Sequence, residues 1–111
     1  MRYDEQTHEK FATQAIQYSE KSDFVYGLHR KHEPSCYGKL LKYLMAQRGY
    51  SFSAFADQLG VTTQTMNYRI NAQKKKNYKQ EEIEQYCRLL AFETDDFIAI
   101  SRIIERKENG D

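Results

Sequence analysis

The sequence has 111 residues and a mass of 13.2 kDa, which is the size of a single domain. Apolar residues make up 40% and charged residues 30%, so the chain can fill a hydrophobic core and is not an extended disordered polymer. Its longest uninterrupted apolar stretches have four residues, whereas a membrane-spanning helix needs about 20. The polar start is not expected to serve as a secretory signal, and the two cysteines, Cys36 and Cys87, are too few for a disulfide framework. We therefore expect a cytoplasmic protein.

The formal net charge of +1 conceals an uneven distribution along the chain. Residues 1–38 carry five positive and six negative charges, whereas residues 39–79 carry eight positive charges and a single negative one. Residues 80–111 carry four positive and nine negative charges. The basic middle segment, residues 39–79, is therefore the part of the chain whose charge suits a polyanionic partner.

The helical spacing of the isoleucines, together with only two valines and one proline, predicts an all-α fold. The first predicted helix runs from Asp4 to about Lys21, and its acidic start is favoured by the helix dipole. One face of this helix carries Phe11, Ala12, Ala15, Ile16 and Tyr18. A second, short helix is predicted between its N-cap Ser22 and the helix-breaking Pro34. Its apolar residues are Phe24, Val25 and Leu28.

Capping residues and glycines divide the middle of the chain into three helices. The longest has Ser35 as its predicted N-cap, runs through Arg48 and ends at Gly49 in the left-handed conformation. Two short helices follow, at residues 52–59 and at about residues 63–71. Ser51 is the predicted cap of the first short helix and Gly60 its terminating glycine, and Thr62 is the predicted cap of the second.

A lysine-rich loop, residues 73–79, leads to a predicted helix from Gln80 to Phe92. Thr94 is the predicted N-cap of the last helix, whose first turn is acidic and whose last turn is basic, as the helix dipole favours. The charged residues of those two turns are Asp95, Asp96, Arg106 and Lys107. The remaining tail, residues 108–111, is expected to fray.

Residues 51–71 have the features that a helix-turn-helix requires. Two closely crossing helices need a small residue where they meet, which Ala56 provides, and the turn needs a positive φ, which Gly60 adopts without a Cβ penalty. Five apolar residues are then expected to face inward and fix the second helix: Phe55, Leu59, Val61, Met66 and Ile70. Other helical corners share this pattern, so the pattern alone does not indicate nucleic-acid binding. The basic charge around it provides the second indication.

On these residues the sequence resembles the Cro/cI-type (XRE-like) helix-turn-helix regulators, particularly short phage-encoded repressor-like proteins. The resemblance covers roughly residues 36–100 and rests on Phe55-Ala56, Leu59-Gly60-Val61, Thr62, Met66 and Asn71. It implies a compact multi-helix domain at residues 35–107. Residues 1–34 lie outside the resemblance, and their own pattern predicts a helical extension. Arg69 departs from the family pattern, in which an apolar residue is often buried there, and Ile70 is expected to take that anchoring role.

In this family the second helix of the motif lies in the DNA major groove, which implies that its outward side chains read base edges. Those side chains are Thr63, Gln64, Asn67 and Tyr68. Gln and Asn amides can pair bidentately with adenine, and a Thr methyl can contact the thymine methyl. The helix start and the following loop are expected to contact phosphates. The predicted phosphate contacts are Thr62, Thr65, Arg69, Asn71, Lys74, Lys75, Lys76 and Lys79.

The resemblance implies a transcriptional regulator, most simply a repressor, that binds double-stranded DNA as a homodimer, because each reading helix serves one half-site. The last helix also favours pairing, since its apolar residues cover more than one face. These residues are Phe97, Ile98, Ile100, Ile103 and Ile104. The interface would lie on residues 4–28 or on residues 95–107, unless the N-terminal helices cover the last helix within one chain.

Two other classes of function remain open from the sequence. A protein-interaction module could reuse the helix-turn-helix scaffold without specific DNA binding, with the last helix or residues 1–34 as its surface. A zinc site could form from His29, His32, Cys36 and Cys87, but their spacing matches no strong template. Since no glycine-rich phosphate loop, paired-carboxylate site or cofactor fingerprint is visible, we expect no enzyme activity, cofactor, metal or small-molecule substrate.

Overall fold

The computed structural model describes residues 2–26, 36–70 and 78–109, with the backbone alone for residues 22–26. These residues form six α helices and no strand, which confirms the all-α prediction. In chain order the helices are α1 (Glu5–Tyr26), α2 (Cys36–Gln47), α3 (Phe52–Leu59), α4 (Thr63–Ile70), α5 (Gln80–Leu90) and α6 (Thr94–Glu108).

Residues 5–26 form a single continuous helix, which extends past the point where the sequence predicted a second helix to begin. Asp4 caps its first turn, because the carboxylate accepts a hydrogen bond from the Thr7 amide at 2.8 Å, and this bond lowers the pKa of Asp4. The predicted break at Ser22 is wrong, since α1 continues through Tyr26. No glycine or proline interrupts residues 5–26, and a serine inside a helix costs only about 0.5 kcal/mol relative to alanine. Leu28, predicted for the second helix, lies outside the described residues.

α2 ends at a left-handed glycine, as predicted. Gly49 has a φ of +76°, and the amide of Tyr50 donates to the carbonyl of Met45 at 2.9 Å. This arrangement satisfies a carbonyl that would otherwise lack a partner at the helix end. Ser35, the predicted N-cap of α2, lies outside the described residues.

α5 is shorter than predicted and ends at Leu90 instead of Phe92. The reason is Ala91, which adopts the left-handed conformation with a φ of 53°. The amide of Phe92 then donates to the carbonyl of Cys87 at 2.9 Å, which closes the helix as in α2. An alanine in this conformation is strained by its Cβ, so the sequence held no signal for the early end.

α6 begins at Thr94, which is its first residue and not its N-cap as predicted. The N-cap position belongs to Glu93, and the side chain of Thr94 lies close enough to Cys87 on α5 to act against the rise that burial causes in the pKa of that thiol. The acidic first turn and basic last turn are both present and suit the helix dipole.

α2 lies at the centre of the fold, where it contacts α1, α4, α5 and α6. Its inward residues are at most 1% exposed; they are Leu40, Leu41, Leu44 and Met45. α1 contributes Ala12 and Ala15, both wholly buried, to the same hydrophobic cluster. The N-terminal extension therefore shares its core with the helix-turn-helix.

The broad apolar face of α6 is covered within the chain, because both α1 and α2 pack against it. Phe97, Ile100 and Ile104 are wholly buried, Ile103 is 8% exposed and Ile98 is half-buried. Coverage by the N-terminal helix, one of the alternatives that the sequence left open, is therefore observed. The width of this apolar face therefore gives no independent indication of a dimer.

A buried carboxylate joins the start of the chain to α6. Asp96, in the acidic first turn of α6, is wholly buried. It accepts hydrogen bonds from His8 Nε2 at 2.7 Å and from the backbone amides of Arg2 and Tyr3 at 2.9 and 3.4 Å. Burial by itself raises the pKa of Asp96, but these bonds outweigh it and lower the pKa. We call this arrangement of four residues the N-terminal clamp.

Candidate nucleic-acid interface

α3, the first helix of the motif, is fixed by local hydrogen bonds at both of its ends. Ser51 caps α3, since its Oγ accepts a hydrogen bond from the Ala54 amide at 3.1 Å. Gly60 ends α3 with a φ of +74°, and the amide of Val61 donates to the carbonyl of Ala56 at 3.0 Å. Both the Ser51 cap and the Gly60 terminator were predicted from the sequence and are confirmed.

A pair of threonines fixes the start of α4. Thr62 Oγ1 accepts a hydrogen bond from the Thr65 amide at 3.1 Å, which confirms the predicted cap, and it also hydrogen-bonds to Thr65 Oγ1 at 2.9 Å. The two hydroxyls carry two hydrogens, and the bond between them uses one. The other hydrogen can be donated to an outside acceptor. Both hydroxyls lie beside the first turn of α4, where the helix dipole also favours an anion.

The inward face of the helix-turn-helix packs against the core. Phe55, Met66 and Ile70 are wholly buried and Ala56 is 1% exposed, so the small residue lies where the helices meet, as predicted. The remaining inward residues, Leu59 and Val61, are half-buried against the same cluster. α4 contacts both α3 and α2, so its orientation relative to the domain is set by packing.

The outward face of α4 consists of four exposed and uncharged side chains. They are Thr63, Gln64, Asn67 and Tyr68, the residues that the sequence predicted to read bases. Their spacing of one, three and four residues puts them on the same side of a helix. Tyr68 is 74% exposed and is the one large hydrophobic side chain exposed among the described residues. The geometry therefore presents amide, hydroxyl and aromatic groups together to solvent.

Arg69 lies on a different side of α4 and faces α5. Its Nη2 is 3.9 Å from Glu82 Oε1, and the Arg69 and Glu82 side chains are 26% and 19% exposed. Burial raises the pKa of Tyr86, and Arg69 and Glu82 are close enough to shift that pKa in opposite directions. Ile70, next in the chain, is wholly buried and takes the anchoring role expected for it.

Sequence reasoning missed the residue that closes the end of α4. Tyr78 is 7% exposed, and its hydroxyl donates a hydrogen bond to the carbonyl of Ile70 at 2.9 Å. This bond satisfies one of the last carbonyls of the helix. Its ring also lies 5.2 Å from that of Tyr37 on α2. Neither contact follows a local pattern, so the sequence carried no signal for it.

A sequence model of the Cro/C1-type HTH DNA-binding domain matches residues 40–101, which is more than half of the chain. The chain belongs to this family. No curated protein and no solved structure matches it. Membership confirms the resemblance noted from the sequence and makes the protein a DNA-binding transcription regulator in the general sense.

The Cro/C1-type match begins within α2 and ends within α6, so α1 lies outside it. The helices inside the match include the whole unit from Ser51 to Ile70. α1 nevertheless packs along α6 and α2 and carries one side of the N-terminal clamp. This Cro/C1-type domain is therefore extended by a helix that completes its core.

The cations of the basic middle segment have unequal surroundings. Lys39 on α2 is 6% exposed and forms an ion pair with Glu108 at the end of α6. Arg48 Nε donates to the carbonyl of Leu90 at 3.0 Å. Lys79, at the start of α5, is exposed. The other predicted phosphate contacts, Asn71 and Lys74 to Lys76, lie outside the described residues.

The other candidate site residues are dispersed. Cys36 on α2 and Cys87 on α5 are buried thiols, and burial raises the pKa of Cys87 to about 11. His29 and His32 lie outside the described residues, and within the described ones no three His, Cys, Asp or Glu side chains are grouped to hold a metal ion. Across the same part of the chain, no helix combines the length and apolar character that crossing a membrane requires.

Proposed function

We propose that this Cro/C1-type protein is a sequence-specific double-stranded DNA-binding repressor that reads the major groove with α4. The observation that carries the proposal is the outward face of α4, where Thr63, Gln64, Asn67 and Tyr68 are all exposed on a helix whose opposite face is buried. A rigidly seated helix with outward amides is suited to pair with base edges, because the packing fixes the direction in which the amides point.

The proposed phosphate contacts surround this face. Thr62 and Thr65 lie at the start of α4, and Lys79 is exposed at the start of α5. Asn71, Lys74, Lys75 and Lys76 belong to the same proposal, since their place in the sequence directly after α4 would put positive charge next to the DNA backbone. Arg69 is better suited to hold α4 against α5, because its guanidinium faces Glu82.

Repression would follow from occupation of the operator, in the manner of the short phage-encoded regulators that the sequence resembles. The proposal places the protein with DNA in the cytoplasm. It includes a homodimer on a roughly palindromic operator, because one reading helix covers only one half-site. The rival proposal of a protein-interaction module loses one of its two candidate surfaces, since α1 and α2 cover the apolar face of α6.

Selection from a random duplex library tests base reading. We expect the wild-type protein to enrich one motif, and Gln64→Ala and Asn67→Ala each to weaken binding to that motif by about 1–3 kcal/mol while sparing random DNA. Gln85→Ala is the matched control, because Gln85 is an exposed helical glutamine on α5. A motif that never emerges, or an equal loss on selected and random DNA, would disprove base reading by α4.

Sedimentation of the free chain and of its operator complex tests the dimer. Among the described residues, Tyr68 is the one exposed large hydrophobic side chain, so we expect free chains to pair weakly. On a palindromic operator we expect two chains to bind, and on a single half-site one chain. A complex with one chain on the palindrome would contradict the dimer but would leave base reading by α4 intact.

A further inference from the structure

The surface that α4 presents to DNA contains no cation, which limits the bases it can recognise. Residues 51–70 include one basic side chain, Arg69, and it faces Glu82 and Tyr86 on α5. The four outward side chains of α4 are two amides, one hydroxyl and one phenol. Their hydrogen-bonding capacity is therefore entirely neutral.

Base edges in the major groove differ in the partners that they require. Guanine presents two acceptors, N7 and O6, and pairs best with the paired donors of an arginine or a lysine. Adenine presents an acceptor at N7 and a donor at N6, and one side-chain amide matches both at once. Thymine adds a methyl group, which makes favourable contact with a threonine methyl or an aromatic ring. The outward face of α4 holds the partners that suit adenine and thymine, and it lacks the charged donors that suit guanine.

We propose that the half-site read by α4 is a short run of A·T pairs, with Gln64 and Asn67 on adenines and Thr63 and Tyr68 on thymine methyls. This inference rests on the proposed function. Its length follows from the helix: five residue steps of about 1.5 Å separate Thr63 from Tyr68 along the axis. That span of about 7.5 Å corresponds to two base-pair steps of about 3.4 Å, and so to about three consecutive pairs.

The position of Arg69 is essential to this argument, because a free arginine on the groove side would read guanine. Three features keep it away from the outward face: the Glu82 carboxylate at 3.9 Å, the half-burial of its side chain, and Ile70 beside it, whose full burial fixes the rotation of the last turn. Arg69 therefore holds α4 against α5 and does not contact bases.

Selection from a random duplex library separates this inference from the proposed function. We expect the positions whose enrichment disappears in Gln64→Ala or Asn67→Ala to be A·T pairs, and replacement of one such pair by G·C to weaken binding about 5- to 150-fold. If those positions are G·C pairs, the inference is overturned and the proposed function stands. If no motif is enriched, both are overturned.

Base analogues in the selected operator test the individual contacts. Replacing a contacted adenine by 7-deaza-adenine removes the N7 acceptor, and we expect a loss of about five-fold or more for wild type and no further loss in the matching alanine variant. Replacing a contacted thymine by uracil removes one methyl group, which we expect to weaken binding about fourfold. Equal affinity for analogue and parent operators would overturn the contacts.

Arg69→Met provides the third measurement, because methionine keeps much of the aliphatic length but cannot read guanine. We expect the variant to select the same motif as the wild type, with folding verified by circular dichroism. Loss of a guanine from the selected motif would overturn the inference, since it would put Arg69 in the groove.

Discussion

The helix-turn-helix and the N-terminal clamp are both held by hydrogen bonds to side-chain oxygens. The bonded residues are close together in the sequence in the first region and far apart in the second. In the helix-turn-helix, Ser51 and Thr62 each cap a helix through an amide three residues away. In the clamp, Asp96 binds groups that are 88 to 94 residues away in the chain. The first region is thus shaped by its own sequence, and the second forms only when residues 2–8 meet the first turn of α6.

This difference assigns the two regions different tasks. Local capping fixes the backbone of α4 and leaves the amides of Gln64 and Asn67 exposed to solvent. The clamp has the opposite outcome, because the carboxylate of Asp96 is wholly buried and engaged with His8 and two backbone amides. Polar groups therefore serve recognition in one region and stability in the other, and substitutions should separate the two effects.

Asp96→Ala should have the largest effect and should act on stability alone. It leaves His8 and two amides without their buried acceptor, which we expect to lower the free energy of unfolding by about 3 kcal/mol or more. Urea unfolding followed by circular dichroism measures this. Asp95→Ala is the control, since Asp95 is the exposed neighbour in the same turn. Equal, small losses for both variants would mean that the clamp does not stabilise the fold, and an altered DNA motif would mean that the two regions are not separate.

Acid should weaken the clamp before it disturbs the local caps. The pKa of Asp96 is below its ordinary value of 3.8, so the clamp's contribution is fully present above that value and is lost as the pH falls through the lowered folded-state pKa. We expect the urea midpoint of the wild type to fall more steeply below about pH 4 than that of Asp96→Asn, which has no carboxylate to protonate there. Parallel pH profiles would show that another group dominates acid unfolding.

The parts of the fold that the sequence predicted are those set by neighbours in the chain. The starts of α3 and α4 are set by the caps Ser51 and Thr62, and the ends of α3 and α2 by Gly60 and Gly49. These boundaries were predictable because capping and left-handed turns act over three to five residues. The break predicted at Ser22 shows the weakness of the same method. A serine can cap a helix or lie within one, and the packing of α1 along α6 and α2 favours the continuous helix.

The parts that the sequence could not predict depend on contacts between distant helices. Asp96 looked like an ordinary acidic helix start, and only the approach of His8 and the chain start makes it a buried acceptor. The direction of Arg69 likewise depends on where α5 places Glu82, and the closure of α4 depends on Tyr78. The four outward residues of α4 were identifiable because a helical period alone separates them from buried Met66 and Ile70.

The left-handed residues offer the smallest and most discriminating test, because Gly60 ends α3 and Ala91 ends α5 with the same backbone closure. A Cβ at Gly60 would meet nothing within 4 Å, so Gly60→Ala adds backbone strain without a clash, and we expect a loss of about 0.5–1 kcal/mol. Ala91→Gly relieves the same strain and should gain a similar amount, partly offset by the greater chain entropy of glycine in the unfolded state.

Urea unfolding measures both changes, and they should have opposite signs. Binding to the selected operator then distinguishes the two regions, since Gly60→Ala strains the turn that positions α4, whereas Ala91→Gly acts at the α5–α6 turn. We expect weaker operator binding by Gly60→Ala and unchanged binding by Ala91→Gly. If Ala91→Gly also weakened operator binding, the position of α4 would depend on the α5–α6 turn, and the recognition unit would extend beyond residues 51–70.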